Sequence, residues 1–257
     1  MIQNLQKNKA LFWLGSVHLF VFSILFIHSF FNDNLVLGIN SMFKPIKFAL
    51  SIWIYSWTMA LILNYVANSS KVKVYSLVAV ICMSFEQVAI TFQAFKGELS
   101  HFNRSNAFGI IVFALMGVFI LTITLWTAYI TYIFITQKTY ELKPAIILSI
   151  KIGLIFFVVF SLFGGYISSL QGHTVNAIDG GKGLWFINWS IHFGDLRVVH
   201  FFGIHGLQII PLFALAISKY FDNSKSIVAV KIFSFAYLFF ILLTLGQGLL
   251  GLPFLKY

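Results

Sequence analysis

The sequence predicts an all-α integral membrane protein of seven transmembrane helices, with its amino terminus in the cytoplasm and its carboxyl terminus outside. Three observations predict it. Apolar residues make up 60% of the 257 residues and charged ones only 9%, and 31 phenylalanines are spread along the whole length, more than one soluble core of this size accommodates. Seven apolar segments recur, each long enough for the ~20 residues that a helix needs to cross a ~30 Å hydrocarbon core. Lysine and arginine gather at the ends of those segments, where they meet headgroups and set orientation. The net charge of +10 is therefore no sign of nucleic-acid binding.

The first segment, 10–31, follows MIQNLQKNKA, a basic stretch like that ahead of a signal peptide. Its apolar run is too long and no small-residue cleavage site follows, so it reads as a retained span. The second, 44–66, opens KPIKFALS, with Pro45 in the first turn, where a missing N–H costs nothing. The third, 73–95, carries Glu86 and Gln93, and the fourth is 107–135. Pro144 starts the fifth, 144–168, as Pro45 does the second. The sixth, 197–221, contains Pro211, where neighbouring helices can satisfy the freed carbonyl and a kink is expected. The seventh is 226–251. One connection, 169–196, is much longer than the others, and its Trp185, Phe186, Ile187 and Trp189 suit packing at the membrane interface. No repeat or linker is visible, so 1–257 reads as a single seven-helix domain. The single Cys82 lies in a span and forms no intramolecular disulfide.

Orientation rests on the basic residues. Ten of the 17 fall on the side of the amino end and the even-numbered connections: Lys7, Lys9, Lys71, Lys73, Lys138, Lys143, Lys151, Lys219, Lys225 and Lys231. The other seven, Lys44, Lys47, Lys96, Arg104, Lys182, Arg197 and Lys256, fall on the opposite side. This bias puts the odd-numbered connections outside, together with six of the seven histidines.

The candidate site residues lie in that outer half. On the sixth span Arg197, His200, His205 and Gln208 spread over one side, Arg197 about 60° and His205 about 140° from His200. An ionisable group is expensive against lipid, so this side faces protein. The five-residue spacing of the histidines is not the i, i+4 arrangement that grips one metal, so other helices must complete a metal site. His101, beyond the third span, is the third candidate ligand. Glu86 stands deep in that span, where a carboxylate costs roughly 2.5–3.5 kcal/mol, and so must be protonated, paired or bound to a cation. It is a candidate catalytic group, with His173 and Asp179 of the long connection. Asp179 opens Asp-Gly-Gly, a turn signal whose exposed N–H groups can also meet an anion. Lys47, Lys96 and Arg197 are candidate anion-binding residues. Asp195 can cap the sixth helix and pair with Arg197.

The stretch 172–208 resembles an uncharacterised group of bacterial multi-pass membrane proteins. They share His-Thr-Val, Asp-Gly-Gly and Gly-Asp-Leu-Arg-Val-x-His-Phe-x-Gly-x-His, here His173 to Val175, Asp179 to Gly181 and Gly194 to His205. KPIKFALS at Lys44 and SHFN at Ser100 look like parts of the same pattern. The resemblance implies a multi-pass bacterial protein and no particular activity. Where the pattern has Gly after His-Thr-Val this chain has Asn176, and His192 is peculiar to this chain.

These residues lead to the expectation of an inner-membrane protein with an outer-half histidine and carboxylate site. A transition metal or haem would suit it, as would enzymatic action on a lipid or quinone-like substrate. The alternatives are a transporter or receptor for a small anionic solute, with Glu86 as proton site, or a structural subunit of a membrane complex. The orientation is checked by single cysteines at Asn34 and Gly181 in a Cys82→Ala background. Both are expected to react with a membrane-impermeant thiol reagent added outside, and labelling only after the inner face is opened would invert the topology.

Overall fold

In hydrocarbon the backbone must satisfy its own N–H and C=O groups, which a helix does within one segment. The computed structural model describes residues 2–103, 106–181 and 183–256. Arg104 and Lys182, counted above for orientation, lie outside them. A short α1 (Ile2–Leu5) precedes seven helices long and apolar enough to cross a membrane. These are α2 (Lys9–Ser29), α3 (Phe43–Leu63), α4 (Ser69–Phe95), α5 (Ala107–Thr136), α6 (Pro144–Ser169), α7 (Arg197–Ile217) and α8 (Asn223–Leu249). The protein is an all-α seven-span membrane protein, and each predicted segment falls on one of these helices. Two small antiparallel ribbons accompany them, β1 (Leu35–Val36) with β2 (Ile39–Asn40) and β3 (Thr174–Val175) with β4 (Gly194–Asp195).

Local chemistry sets the helix ends. The side chains of Asn8, Asn68 and Asp222 accept the N–H groups of Leu11, Lys71 and Lys225 at 3.1, 3.1 and 2.8 Å, the usual way to satisfy a first-turn donor. Pro144 opens α6 and Pro45 sits in the first turn of α3, as expected of prolines that start helices. Helix α7 runs through Pro211 without ending.

Two compact units divide the chain. The first holds α1 to α4, α5 as far as Trp126, and the segment Asp179–Asn188 of the long connection. Here α2 packs along α3, and α4 packs on both. Leu25, Met42, Ile46 and Ala94 form one core cluster, and Phe186 from the long connection packs on it. Ala89, Ile90 and Met116 form another. The hydroxyls of Tyr55 on α3 and Tyr75 on α4 are hydrogen-bonded to each other. Three contacts hold the long connection down within this unit: the Phe186 ring lies 5.7 Å from that of Phe43, Lys47 Nζ donates to the Ile187 carbonyl at 3.0 Å, and Gly181 N–H donates to the Leu37 carbonyl at 3.3 Å.

The second unit holds the remainder of α5, helices α6 to α8, and the ends of the long connection. Phe160, Val199 and Ile241 form one of its core clusters, and Ala145, Ile210, Ala214 and Val230 the other. Without water to expel, spans associate by close fit, which favours small residues at the contact. Gly203 on α7 makes room for the Phe160 ring, and Gly164 on α6 makes room for the His200 ring. Trp189, 6% exposed, packs on Phe201, Phe202 and Phe254, whereas Trp185 is 81% exposed. Phe186 and Trp189 are thus packed against helices, while the Trp185 ring is exposed.

Gly203→Ala tests the α6–α7 contact, since the added Cβ would overlap the Phe160 ring. The variant is expected to lose about 1–3 kcal/mol of stability, seen as a lower melting temperature in detergent, and an unchanged melt would show that the helices do not meet there.

Candidate functional site

In the first unit the chemistry gathers along α4. Glu86 and Gln93 are both 0% exposed, and their seven-residue spacing puts them on one face. Neither oxygen of Glu86, nor either polar atom of the Gln93 amide, has a hydrogen-bond partner. Beside Glu86, Gln87 donates from Nε2 to the Pro45 carbonyl at 3.2 Å and to Thr91 Oγ1 at 2.9 Å, while its Oε1 is left bare. On α3, Trp53 Nε1 and Ser56 Oγ are also buried and unpartnered. Buried polar atoms normally find partners, and each one left bare costs about 1–3 kcal/mol. Five of these bare atoms belong to Glu86, Gln87 and Gln93 along one stretch of α4, and two more are the Ser218 and Ser234 hydroxyls of the second unit.

Sequence reading singled out Glu86 and Gln93 but not Trp53 and Ser56. Their signal was available, because two polar side chains three residues apart in an apolar span share a face. Lys44, at the start of α3, acts electrostatically on both Glu86 and His101.

His101 is packed among the rings of Phe48, Phe102 and Phe113, at 6.0, 6.3 and 5.8 Å between centroids, with its Nδ1 3.3 Å from Ser100 Oγ. Burial, helped by the Lys44 charge, pushes its imidazole well below the ordinary histidine range, so the ring is neutral. Lys96 pairs with Glu98 at 2.8 Å and lies over the Phe92 and Phe108 rings. Its hydrogen bond holds the Glu98 carboxyl below the usual range. Asp179 is also in this unit, and the Gly181 N–H two residues on is engaged by the Leu37 carbonyl.

In the second unit the chemistry centres on Asp195, whose side chain is fully buried. Its Oδ1 accepts the Arg197 backbone N–H at 3.0 Å and Nε at 2.9 Å; its Oδ2 accepts Nη2 at 2.6 Å and the Ser190 N–H at 3.0 Å. His173 Nδ1 lies 3.6 Å from Oδ1. Burial alone would push this carboxyl up, but the Arg197 hydrogen bonds and charge, with His173 and the Ser190 N–H, outweigh it and hold Asp195 below its ordinary value. Two neighbouring pairings fix the motif: Thr174 with Asp195 in the β3–β4 ribbon, and Leu196 N–H donating to the His173 carbonyl at 3.0 Å. The residues His-Thr-Val and Gly-Asp-Leu-Arg, distant in sequence, are thus two sides of one latch. Asn176, where glycine is expected, has φ +66°, a conformation that glycine adopts freely and asparagine tolerates.

The remaining histidines are used one by one. His200 donates from Nδ1 to the Phe160 carbonyl at 2.7 Å, clasping α7 to α6, and His205 Nδ1 lies 3.3 Å from Gln208 Oε1. His192 is exposed. Among the described residues no three of His, Cys, Asp or Glu stand together as a group that could hold a metal. The transition-metal and haem readings of His101, His200 and His205 therefore gain no support from the arrangement. Each candidate anion-binding residue has an intramolecular partner: Ile187 for Lys47, Glu98 for Lys96 and Asp195 for Arg197.

The latch is tested by acid. A carboxyl depressed on folding contributes stability that is present above its unfolded value, about 3.9, and is lost as pH falls through the folded one. Wild type is therefore expected to lose stability steeply below about pH 4. Asp195→Asn should start lower, by on the order of 3 kcal/mol because a buried charge partner is gone, and fall less with acid. Arg197→Lys should lie between, since lysine cannot reproduce the two-atom grip on Asp195. Parallel acid profiles for wild type and Asp195→Asn would remove Asp195 from this role.

Comparison of the chain with protein families, with curated proteins and with solved structures returns no match.

Proposed function

We propose that the protein is a proton-coupled transporter of a small solute across a bacterial inner membrane, with Glu86 as its proton site. One observation carries the reading: a carboxyl in the middle of a spanning helix is fully buried, and neither of its oxygens is hydrogen-bonded. Glu86 lies nine residues before the end of α4, about 14 Å along the helix axis. An ionised group at such depth costs several kcal/mol unless paired. With no hydrogen bond to hold the charge, Glu86 carries its proton at rest and accepts charge only when a partner arrives.

A structural carboxyl would be expected to have its hydrogen bonds made, as Asp195 has. A carboxyl that waits without them, two turns from the bare amide of Gln93 on the same helix face, suits a group that takes up and releases a proton as solute binds. The charge of the solute is not part of the reading, because Lys47, Lys96 and Arg197 are engaged within the protein.

Infrared difference spectra of the reconstituted protein test this reading. Wild type at neutral pH is expected to show the C=O band of a protonated, weakly hydrogen-bonded carboxylic acid, and Glu86→Gln to lack it while keeping the wild-type melt. In vesicles carrying an internal pH dye, wild type should move protons inward when a solute it transports is supplied from a panel of metabolite mixtures, and Glu86→Gln should lose at least a tenfold share of that flux. A protonated-acid band that survives in Glu86→Gln would overturn the assignment.

A further inference from the structure

The two units share one internal plan. In the first, α2 leads through the β1–β2 ribbon to α3 and then α4; in the second, α6 leads through the β3–β4 ribbon to α7 and then α8. Helices α3 and α7 both have 21 residues, and α4 and α8 both have 27. Arg197 opens α7 154 positions after Phe43 opens α3, and Asn223 opens α8 154 positions after Ser69 opens α4. A bilayer imposes only a minimum length of about 20 residues, so equal lengths alone prove little. What needs explaining is that the details keep the same register without an insertion.

The caps keep it. Asn68 receives the Lys71 N–H, and Asp222, at the matching position, receives the Lys225 N–H. At the other end Gly97 and Gly251 match, with φ +68° and +76°. The N–H after each glycine returns to a glutamine carbonyl, Glu98 to Gln93 at 2.9 Å and Leu252 to Gln247 at 3.1 Å. A left-handed glycine is a common helix terminator. Its recurrence at one offset with the same glutamine four residues before is not dictated by that rule.

The buried faces keep the register too. Pro45, Ala49, Ile52, Ser56 and Ala60 are buried on α3, and so are their counterparts Val199, Gly203, Gly206, Ile210 and Ala214 on α7. On α4 and α8 the same holds for Ser76, Gln87, Ile90 and Ala94 against Val230, Ile241, Thr244 and Gly248. On α3 and α7 a slip of one residue, which turns a helix face by about 100°, cuts the five buried pairs to three or two, whereas on α4 and α8 a slip in one direction keeps as many, so the register there rests on the caps. The first helices stand at a different offset: Gly15 on α2 meets the Trp57 ring and the Trp53 carbonyl, and Gly153 on α6 meets the backbone of Gly206 and Leu207, of which Trp53 and Leu207 are matching positions.

We propose that the chain is a tandem duplication of one three-helix module, α2–α4 and α6–α8, joined by α5, and that the two copies have divided the ionisable groups between them. Where the first copy has Lys44, Lys47 and Glu86, the second has Val198, Phe201 and Phe240. Where the second has Arg197 and His200, the first has Phe43 and Ile46. The first copy thus carries the one deep carboxyl, and the second carries the arginine latch. Because α5 is itself a span, α2 and α6 are both odd-numbered spans and enter the bilayer from the same side. Internal repeats of this kind recur in secondary transporters. That functional part rests on the transport reading, while the duplication stands on the caps, the helix lengths and the α3 and α7 faces.

Spin-label distances in the full-length reconstituted protein test the duplication without reference to activity. In a Cys82→Ala background, labels at Leu61 and Val88 span α3 and α4, and labels at Leu215 and Leu242 span the matching positions of α7 and α8. A second set, Val17 with Val88 and Ile155 with Leu242, places the first helix of each copy against its third. Duplication predicts the same most probable distance for the two pairs of each set. Distances that differ between copies in either set overturn it. Loss of the Glu86 infrared assignment would remove the transport reading and leave these distances where they are, so the two failures are distinguishable.

Discussion

Hydrocarbon supplies no hydrogen-bond partner, and the arrangement of this chain follows from that constraint. Seven segments close their backbones as helices, and the side chains inside them observe the same rule. Ser16, Thr58, Ser76 and Thr131 return their hydroxyls to carbonyls four residues back. His18 donates to the Leu14 carbonyl, and His200 to that of Phe160. Against this background the bare atoms on α3 and α4 stand out. The rule is kept at most polar positions and relaxed at a few, of which Glu86 is the one acid.

Asp195 and Glu86 show what the same chemistry does under different constraints. Both are buried acids. Asp195 sits at a helix start beside a ribbon, where two backbone N–H groups and a guanidinium converge on it, and its charge is stabilised in place. Glu86 sits within a helix, where the backbone is already satisfied by its own hydrogen bonds and neither carboxyl oxygen finds a partner. The first acid fixes a loop against a helix. The second makes no hydrogen bond that a change of protonation would break.

The seven spans were legible because length and apolarity alone define them, and Pro45 and Pro144 marked two starts correctly. The latch was half legible. Gly-Asp-Leu-Arg suggested a cap and an ion pair; the ion pair forms and Asp195 takes the Arg197 N–H, although Leu196 holds the N-cap position without a side-chain bond, and nothing in the sequence pairs Thr174 with Asp195 across a connection of this length. Six histidines on one expected side suggested a cluster, which finds no support among the described residues; a neutral imidazole is also a ready donor to a helix carbonyl, and His200 is used that way. The shared plan of the two units was hidden because a helix in lipid constrains side-chain size and cap chemistry more than residue identity. Gly203 answers to Ala49 and Ile210 to Ser56, pairs in which burial persists while identity does not.

The latch and the glycine contacts also bear on why Arg197 is a poor reporter of solute binding. Its guanidinium makes two parallel bonds to a fully buried carboxylate and shares that carboxylate with His173. Lysine in its place would keep the charge but leave Asp195 with part of its bonding unmade, and an acid buried to this degree transmits the loss to the ribbon and to the start of α7. A fall in activity on Arg197→Lys would therefore follow from a disturbed latch as readily as from a lost anion contact. Glu86 has no such bonds to lose. Replacing it by glutamine removes an exchangeable proton and little else, so the functional consequence of that change reads on chemistry rather than on folding.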